Sequence, residues 1–241
     1  MKIILKIQRY NPESDEKPYF REYEIDASLN QRLLDAMMYI KRNIDGSLAF
    51  RKSCAHGVCG SDAMRINGKD RLACKTLIKD LVQKEGETIV IQPLRYLPVK
   101  RDLIVDQTFF FEKYRAIKPY LINDDPPPEK ERIQSQAARD EFDDTTNCIL
   151  CASCYSACPV LEKNDKFLGP APLAQAYRFI ADSRDNGFEQ RLPQLDTENG
   201  AWACNNHFEC TKTCPRSIKI TKRINQTKRK IEAYHKEQDQ G

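Results

Sequence analysis

The chain has 241 residues, with 39 Lys or Arg against 35 Asp or Glu, so its formal net charge at pH 7 is +4. This length allows one or two domains, and the near balance of charge gives no general case for nucleic-acid binding, which needs a concentrated basic face. No apolar run approaches the roughly 18 residues of a membrane-spanning helix, and the amino terminus lacks the apolar stretch of about 7–15 residues found in signal peptides. We therefore expect a cytoplasmic protein, or one held at a membrane by a partner, with no nucleic acid bound.

The first hundred residues show the alternation of apolar and polar side chains that is typical of β-strands. Asn67-Gly68 separates two of these runs and predicts a hairpin with a type I′ turn. Ser28 followed by Gln31 is a capping-box pattern, which predicts the start of a helix. The predicted strands cover residues 3–8, 19–25, 63–66, 71–74 and 87–92. A small sheet with one helix across it accounts for this order.

The second half of the chain has apolar side chains at helical spacing. A run of aspartates and prolines, Asp124 to Pro128, interrupts it, and the third proline suits the first turn of a new helix. Further helices are predicted at residues 108–117, around Leu173, Tyr177 and Ile180, and along Ile220, Ile224 and Ile231. The sequence thus predicts an α+β protein with one domain over residues 1–103 and a helical domain over residues 104–241.

Ten cysteines are the outlying feature of the composition, and all of them fall into three groups. Cytosolic chains rarely use cysteines in disulfides, and thiolates at short spacing are typical ligands of zinc or of iron–sulfur clusters. The groups are Cys54, Cys59 and Cys74; Cys148, Cys151, Cys154 and Cys158; and Cys204, Cys210 and Cys214. Single C-x2-C pairs often bind zinc, but these groups carry spacings that favour iron–sulfur clusters.

The second group has the spacing C-x2-C-x2-C-x3-C-P, which is that of bacterial ferredoxins. In this pattern three cysteines hold one cubane, and the fourth serves a second cluster. The missing ligand of the first cubane comes from the third group, where Cys214 is again followed by proline. The predicted [4Fe–4S] ligands are therefore Cys148, Cys151, Cys154 and Cys214.

The third group follows the same template with one departure, because His207 stands where the template has a cysteine. Three thiolates then remain for the second cluster, and three suit a [3Fe–4S] cluster, which lacks the iron that a fourth ligand would hold. The predicted [3Fe–4S] ligands are Cys158, Cys204 and Cys210. We interpret His207 as a residue that fills the gap, and ligation by its imidazole is the alternative.

The first group matches the plant-type pattern C-x4-C-x2-C, except that Asp62 takes the third cysteine position. A carboxylate oxygen is a harder ligand than a thiolate but can bind ferric iron. The alternative is a surface carboxylate beside a site that another group completes. Gly57 and Gly60 would let the backbone pass close to the cluster and direct N–H groups at its sulfurs. The predicted [2Fe–2S] ligands are Cys54, Cys59, Asp62 and Cys74.

A plant-type site followed by two bacterial-type sets, with the middle cysteine of the last set missing, resembles the iron–sulfur subunits of succinate dehydrogenase and fumarate reductase (complex II). The resemblance covers nearly the whole chain and implies a ferredoxin-like β-grasp domain followed by an all-helical bacterial-ferredoxin-type domain. Aspartate at the third [2Fe–2S] position occurs in some succinate dehydrogenases. The matching segments are SCAHGVCGSDAMRINGK (53–69), RLACKTLI (71–78), NCILCASCYSACP (147–159), KFLGPAPLAQAYRFIADSRD (166–185) and CTKTCP (210–215).

The resemblance implies the electron-transfer subunit of a succinate:quinone oxidoreductase. FAD in a partner flavoprotein subunit would accept the electrons of succinate. They would pass singly through the [2Fe–2S], [4Fe–4S] and [3Fe–4S] clusters to a quinone. This chain would hold no catalytic residue that oxidises substrate, and membrane anchor subunits would hold it at the cytoplasmic face of the membrane.

The chain departs from the family pattern near the expected quinone site. Family members often carry Trp after the Cys-Pro pair, but residues 159–164 read PVLEKN. They often carry His directly after the first cysteine of the last group, where this chain has Asn205. The candidates for the quinone vicinity are therefore Pro159, Lys163 and His207.

A quinol:fumarate reductase is the nearest alternative, because the direction of electron flow depends on potentials and on the quinone. Asp62 favours succinate oxidation. Two alternatives come from other classes: a free-standing ferredoxin-like carrier and a zinc-stapled interaction module. A free carrier does not need three clusters in series, and metal content would separate the zinc module from the others.

Overall fold

The computed structural model describes residues 1–240, which divide into two compact units. The first unit comprises Met1–Gln107 together with Ile149–Ala157. The second comprises Thr108–Cys148 and the chain from Cys158 onward. Within the described residues all strands lie in the first unit, and the second unit is built from helices. This combination confirms the predicted α+β class.

The first unit is built on a five-stranded sheet. Its strands are β1 (Lys2–Arg9), β2 (Tyr19–Asp26), β3 (Ala63–Ile66), β4 (Lys69–Leu72) and β5 (Thr88–Gln92). The order across the sheet is β2-β1-β5-β3-β4, with β1 and β5 parallel and the other neighbours antiparallel. A separate hairpin of β6 (Val99–Arg101) and β7 (Ile104–Val105) follows. With one helix across the sheet, this is the ferredoxin-like β-grasp arrangement that the resemblance implies.

The core of the first unit lies between the sheet and helix α1 (Leu33–Asn43). Alternate side chains of β1 point into it, as the period of a strand requires. One face of α1 is buried, as expected for an amphipathic helix. The fully buried side chains of these two elements are Ile3, Leu5, Ile7, Leu33, Ala36, Met37 and Ile40.

The hairpin predicted from Asn67-Gly68 is confirmed between β3 and β4. Asn67 has φ 46° and Gly68 has φ 76°, and a type I′ turn requires positive φ at both central residues. The second strand ends at Leu72, so Cys74 lies in a 3-10 turn at Ala73–Lys75 and not in the strand predicted at residues 71–74. Cys74, a predicted metal ligand, therefore lies in a turn and not in a regular strand.

Helix α1 begins later than the capping-box pattern predicts. The Ser28 N–H donates to Gln31 Oε1 at 3.3 Å, which is half of the box, but the helix starts only at Leu33. Arg32 precedes the helix in extended conformation and bridges to Leu77. Pairing with the chain near Leu77 keeps these residues extended, so the tertiary contact overrides the local signal.

The segment Ile149–Ala157 of the first unit contains the short helix α5 (Ser153–Ser156). Cys151 is buried in the core of the unit. Ser156 Oγ donates to Asp70 Oδ1 at 2.6 Å and accepts the N–H of Arg95 at 2.8 Å. These bonds fix the segment to the end of the sheet that carries β4.

A buried charge network fastens β1 to the chain that follows α1. Arg9 Nη1 donates to Asp45 Oδ2 at 2.7 Å, and Nη2 donates to Ser47 Oγ at 2.9 Å. The guanidinium Nε lies 3.1 Å from Asp102 Oδ1. Burial opposes ionisation of Asp45, but hydrogen bonds from Ser47, Tyr23 and Arg9 outweigh it and hold its pKa well below the usual range. The network anchors the chain a few residues before the first cysteine.

The second unit is a set of helices, and no strand occurs in the part of it that the structure describes. They are α2 (Thr108–Ala116), α3 (Gln136–Asp140), α4 (Asp143–Thr146), α6 (Val160–Lys163), α7 (Pro170–Ile180), α8 (Phe188–Leu195), α9 (Glu209–Thr213) and α10 (Ile220–Gln238). Helix α7 is buried on nearly every side, and α10 packs against it with Ile220, Ile224 and Ile231 buried, as predicted. Across residues 1–240, no helix combines the length and apolar character needed to cross a membrane.

The helix predicted to start at Pro128 is wrong. Residues 126–135 are not helical, and the next helix starts at Gln136 with Ser135 as its cap. Ser135 Oγ accepts the N–H of Ala138 at 3.2 Å. Each proline disfavours the helical conformation in the residue before it, which keeps residues 125–127 out of a helix. The helix begins only after Ser135, whose side chain caps it.

Replacing Arg9 by Met is expected to lower the free energy of unfolding by about 3–5 kcal/mol. The buried Asp102 carboxylate loses its cation, and Asp45 keeps only its half-exposed partner Arg21. Urea unfolding of the full chain measures the change. Lys6→Met on the same strand is the control, since the Lys6–Glu22 pair is exposed and is worth about 0–1 kcal/mol. Equal losses in the two variants would contradict the role assigned to Arg9.

Candidate metal centres

The loop that carries Cys54 and Cys59 turns its backbone N–H groups towards a thiol. Cys54 Sγ accepts the N–H of His56 and the N–H of Cys59, each at 3.3 Å. Led by the amides of Cys59 and Val58, these bonds lower the pKa of the Cys54 thiol to about 6. The thiolate is the form that ligates metals, so the loop stabilises Cys54 in its ligating state.

Left-handed backbone conformations shape this loop. Ala55 has φ 54°, Gly57 has φ 77° and Gly60 has φ 70°. Successive turns of this kind direct N–H groups into a concave surface that binds anions. A hydrogen bond from the Gly57 backbone to the Cys74 sulfur lowers the pKa of that thiol, against the larger effect of burial.

The hairpin of β3 and β4 brings Asp62 and Cys74 together. Asp62 precedes β3, Cys74 follows β4, and the register pairs Ala63 with Leu72. The Cys74 N–H donates to Asp62 Oδ2 at 2.6 Å. Burial first, and then the neighbouring Asp62 carboxylate, raise the pKa of the Cys74 thiol to about 12. Cys54 also interacts electrostatically with Cys74, and Cys59 hydrogen-bonds to Cys54, so contacts link all four predicted [2Fe–2S] ligands.

Asp62 does not lie on the surface, because only 2% of it is exposed. Its Oδ1 atom is buried and has no hydrogen-bond partner among residues 1–240. A buried carboxylate oxygen without a partner is costly, and a bound cation would remove that cost. The donor set at this position therefore fits an iron–sulfur cluster with one oxygen ligand.

Cys151 and Cys154 lie on the segment of the first unit that contains α5, and each is 8% exposed. Leu150 has φ 50° and Ala152 has φ 62°, so non-glycine residues on both sides of Cys151 adopt the left-handed conformation. Such strain is found mainly at functional sites, where the surrounding structure holds it in place. The segment thus presents its two thiols from a tightly turned backbone.

The three thiols predicted for the [3Fe–4S] cluster line one pocket of the second unit. Cys158, Cys204 and Cys210 all belong to the lining of this pocket, which opens to solvent on one side. Burial raises the pKa of the Cys158 thiol to about 11 and raises the pKa of Cys210 as well. The three thiols also interact electrostatically with one another. The structure therefore brings these predicted ligands together.

Two residues of α10 support this pocket and were not predicted. Thr221 Oγ1 lies 3.5 Å from Cys210 Sγ, and Lys228 Nζ donates to the Cys204 carbonyl oxygen at 2.8 Å. Groups of this kind orient the ligands and adjust the properties of a metal centre. The spacing of seven residues between Thr221 and Lys228 places them on one helix face, which is the signal that could have indicated them.

The remaining predicted ligands, Cys148 and Cys214, are half-buried in the second unit. Cys148 follows α4, and it contributes, after the larger effect of burial, to the raised pKa of Tyr114. Cys214 directly follows α9. Both thiols therefore stand at helix ends, where the chain turns into a loop.

Two of the three quinone-vicinity candidates border the pocket of Cys158, Cys204 and Cys210. Pro159 and His207 are among its lining residues, together with Asn205. Lys163 is exposed at the end of α6 and is not among the described residues that line the pocket. Of the three candidates, His207 is therefore the one that brings a polar side chain to this pocket.

Among residues 1–240, no group of three or more His, Cys, Asp or Glu side chains is arranged to hold a single metal ion. Two family models identify the kind of centre. Residues 4–112 match the 2Fe-2S iron-sulfur cluster binding domain, and residues 144–218 match the 4Fe-4S dicluster domain. The fold and the thiol sets therefore define an iron–sulfur electron-transfer protein, and the zinc-stapled module is excluded.

Comparisons with known proteins identify the family within this class. The chain is 44% identical over 225 residues to the succinate dehydrogenase iron-sulfur subunit of Coxiella burnetii, covering 92% of this chain and 94% of the relative. It is 41% identical over 219 residues to the fumarate reductase iron-sulfur subunit of Mycobacterium tuberculosis, covering 90% and 87%. Its structure matches a chain of the Mycobacterium smegmatis Sdh1 complex in the apo form with TM-score 0.85 at 28% identity, covering 97% and 96%. The chain belongs to the iron–sulfur subunits of the succinate dehydrogenase and fumarate reductase family, and it is an electron-transfer subunit of complex II type.

Replacing Asp62 by Ala is expected to remove or weaken the [2Fe–2S] centre and leave the other two clusters intact, because one ligand oxygen is lost. Asp62→Cys is expected to retain the centre, since a thiolate at this position completes the plant-type pattern. EPR of reduced samples with iron quantification measures both effects. An unchanged [2Fe–2S] spectrum in Asp62→Ala would remove Asp62 from the ligand set.

Replacing His207 by Cys is expected to convert the [3Fe–4S] centre into a [4Fe–4S] centre, because it restores the thiolate that the template has there. The EPR signal of the oxidised three-iron cluster then disappears, and the iron content rises. His207→Ala is the matched control and is expected to keep the three-iron signal. Loss of that signal in the alanine variant would instead make the imidazole a ligand.

Proposed function

We propose that this chain is the electron-transfer subunit of a succinate:quinone oxidoreductase. The proposal is carried by the division of the predicted ligands into three sets. One set has plant-type [2Fe–2S] spacing, and the other two come from a pair of bacterial-type motifs of which one lacks a cysteine at position 207. Membership in the complex II family supports it. So does Asp62, whose buried and unsatisfied oxygen extends the first set from three thiolates to four ligands.

We assign one iron–sulfur cluster to each of the three ligand sets. Cys54, Cys59, Asp62 and Cys74 would hold [2Fe–2S]; Cys148, Cys151, Cys154 and Cys214 would hold [4Fe–4S]; and Cys158, Cys204 and Cys210 would hold [3Fe–4S]. Such clusters, when bound, accept and release single electrons at potentials that ligand type, hydrogen bonds to sulfur and solvent exposure determine. This chain contains no residue to which we assign a role in substrate oxidation.

The protein would adjust the potential of each cluster through the surroundings of its ligands. Backbone N–H groups donate to Cys54 and to Cys74, and such bonds offset the negative charge of the thiolates. Around Cys210 the pocket wall is largely apolar and restricts solvent, which changes both charge stabilisation and potential. The first and third sets therefore differ in their surroundings as well as in their ligands.

The pocket of Cys158, Cys204 and Cys210 is the proposed place where a quinone approaches. Phe208, which also lines the pocket, is 51% exposed and offers an apolar surface to a ring. His207 offers a hydrogen-bonding group, and Pro159 forms part of the lining. An apolar pocket with few polar groups is typical of sites for ligands of this kind. We assign the quinone contact to Pro159 and His207 and not to Lys163, which lies outside the lining.

The proposed partners are a flavoprotein subunit that carries FAD and membrane anchor subunits at the cytoplasmic face of the membrane. Cys54 and Cys59 are exposed, so a flavoprotein can approach the loop of the first set. The structural match to a chain of the Sdh1 complex supports an assembly of several subunits. A free-standing ferredoxin-like carrier is disfavoured, because the relatives are themselves named as subunits.

A quinol:fumarate reductase is the second candidate, and the fumarate reductase subunit of Mycobacterium tuberculosis is the observation in its favour. The ligand sets are compatible with either direction. Asp62 is the feature of this chain that favours succinate oxidation.

Purification of the tagged chain with its associated subunits from native membranes tests the proposal. We expect a flavoprotein with FAD to co-purify, succinate to reduce the iron–sulfur centres, and succinate:quinone turnover to exceed quinol:fumarate turnover. Faster fumarate reduction would favour the second candidate. A chain that purifies alone, with centres that succinate does not reduce, would contradict both.

A further inference from the structure

Within the first unit, the loop of the first ligand set touches a proposed ligand of the second set. Gly60 directly follows Cys59 and has φ +70°. A Cβ atom added to Gly60 would lie 2.6 Å from Cys151 Cβ, 3.1 Å from Cys151 Cα and 3.2 Å from the Ile149 carbonyl oxygen. Non-bonded carbon atoms do not approach this closely, so the observed contact requires glycine.

Other glycines with positive φ do not have this environment. A Cβ at Gly57 would meet only the side chain of Lys75, at 2.7 Å from Cδ and 2.8 Å from Cγ, and a flexible side chain can move aside. A Cβ at Gly86, where φ is +81°, would meet nothing within 4 Å. The crowding at Gly60 involves backbone atoms and the Cβ of Cys151, which cannot rotate away.

The segment that carries Cys151 is also fixed from its other end. Ser156 Oγ donates to the buried Asp70 at 2.6 Å and accepts the Arg95 N–H at 2.8 Å. Cys151 itself packs in the core of the unit. The segment therefore cannot retreat without breaking these contacts, and its closest approach to the first ligand loop is at Gly60.

We propose that the contact between Gly60 and Cys151 is the electron-transfer contact between the first and second clusters, and that Gly60 is the positioning residue that sets their separation. The inference rests on the proposed function. In this step the [2Fe–2S] cluster is oxidised by one electron and the [4Fe–4S] cluster is reduced by the same electron, which the reduced flavin of the partner subunit supplies. No covalent bond changes and no proton moves. A side chain at position 60 would displace Cys151 and lengthen the path.

The test uses the purified complex with its partner subunits and the variant Gly60→Ala. When the [4Fe–4S] cluster is reduced it is paramagnetic, and a nearby paramagnet speeds the relaxation of the [2Fe–2S] EPR signal. Microwave-power saturation of the [2Fe–2S] signal is measured with the [4Fe–4S] cluster oxidised and again with it reduced. The difference between the two measurements reports the magnetic coupling of the two clusters. We expect Gly60→Ala to retain both clusters and to lose part of the relaxation enhancement. We also expect slower arrival of electrons at the [3Fe–4S] cluster after rapid mixing with succinate.

One control variant separates the position of the side chain from backbone strain. Gly86→Ala introduces the same unfavourable φ, with nothing within 4 Å of the added Cβ. It is expected to retain both clusters and the relaxation enhancement of the wild type. A purely structural role of Gly60 would lower cluster content and leave the enhancement of the remaining clusters unchanged.

A wild-type enhancement in Gly60→Ala with both clusters present would overturn the inference. If Gly60→Ala fails to assemble either cluster, the variant Ser156→Ala provides the test, because it removes a bond that holds the Cys151 segment and changes no residue of the Cys54–Cys59 loop. A reduced enhancement in Ser156→Ala supports the contact, and an unchanged one overturns it. Absence of iron–sulfur signals from the wild-type complex would instead overturn the proposed function on which the inference rests.

Discussion

Ligand side chains must be held at fixed positions around a metal centre, and the rest of this structure depends on the loops that hold the predicted ligands. Around Cys54 the backbone turns through left-handed residues and directs N–H groups at sulfur. Regular elements fix the ends of such loops. Arg9 fastens the chain before Cys54 through Asp45, and the β3–β4 hairpin brings Asp62 next to Cys74. The sheet thus serves mainly to hold loop geometry.

The position of residues 149–157 follows from the same constraint. This segment belongs to the first compact unit although more than forty residues of the second unit precede it in the chain. Its Cys151 side chain occupies part of the core, and Ser156 binds the buried Asp70. The cysteine run that carries the predicted ligands thus also completes the packing of the unit built on the sheet. The proposed electron-transfer contact involves the same residues.

Local patterns predicted much of this molecule, because ligand spacing and side-chain periodicity are properties of short segments. The cysteine sets, the Asn67-Gly68 hairpin and the buried face of α10 are of this kind. Long-range contacts were not predictable in this way. Neither the burial of Asp62 nor the approach of Gly60 to Cys151 has a local signal, since each depends on chain segments brought together by folding. The late start of α1 at Leu33 has the same origin, because Arg32 is held extended by its pairing with Leu77.

The central claim is that one chain holds three different clusters on the predicted ligand sets. Anaerobic EPR combined with iron and zinc analysis of the purified complex tests it most directly. The account predicts three distinct centres, one of them a three-iron cluster visible in the oxidised state, and about nine iron atoms per chain. Two cubanes and no three-iron signal would contradict the assignment of Cys158, Cys204 and Cys210. Zinc without iron would contradict the whole account.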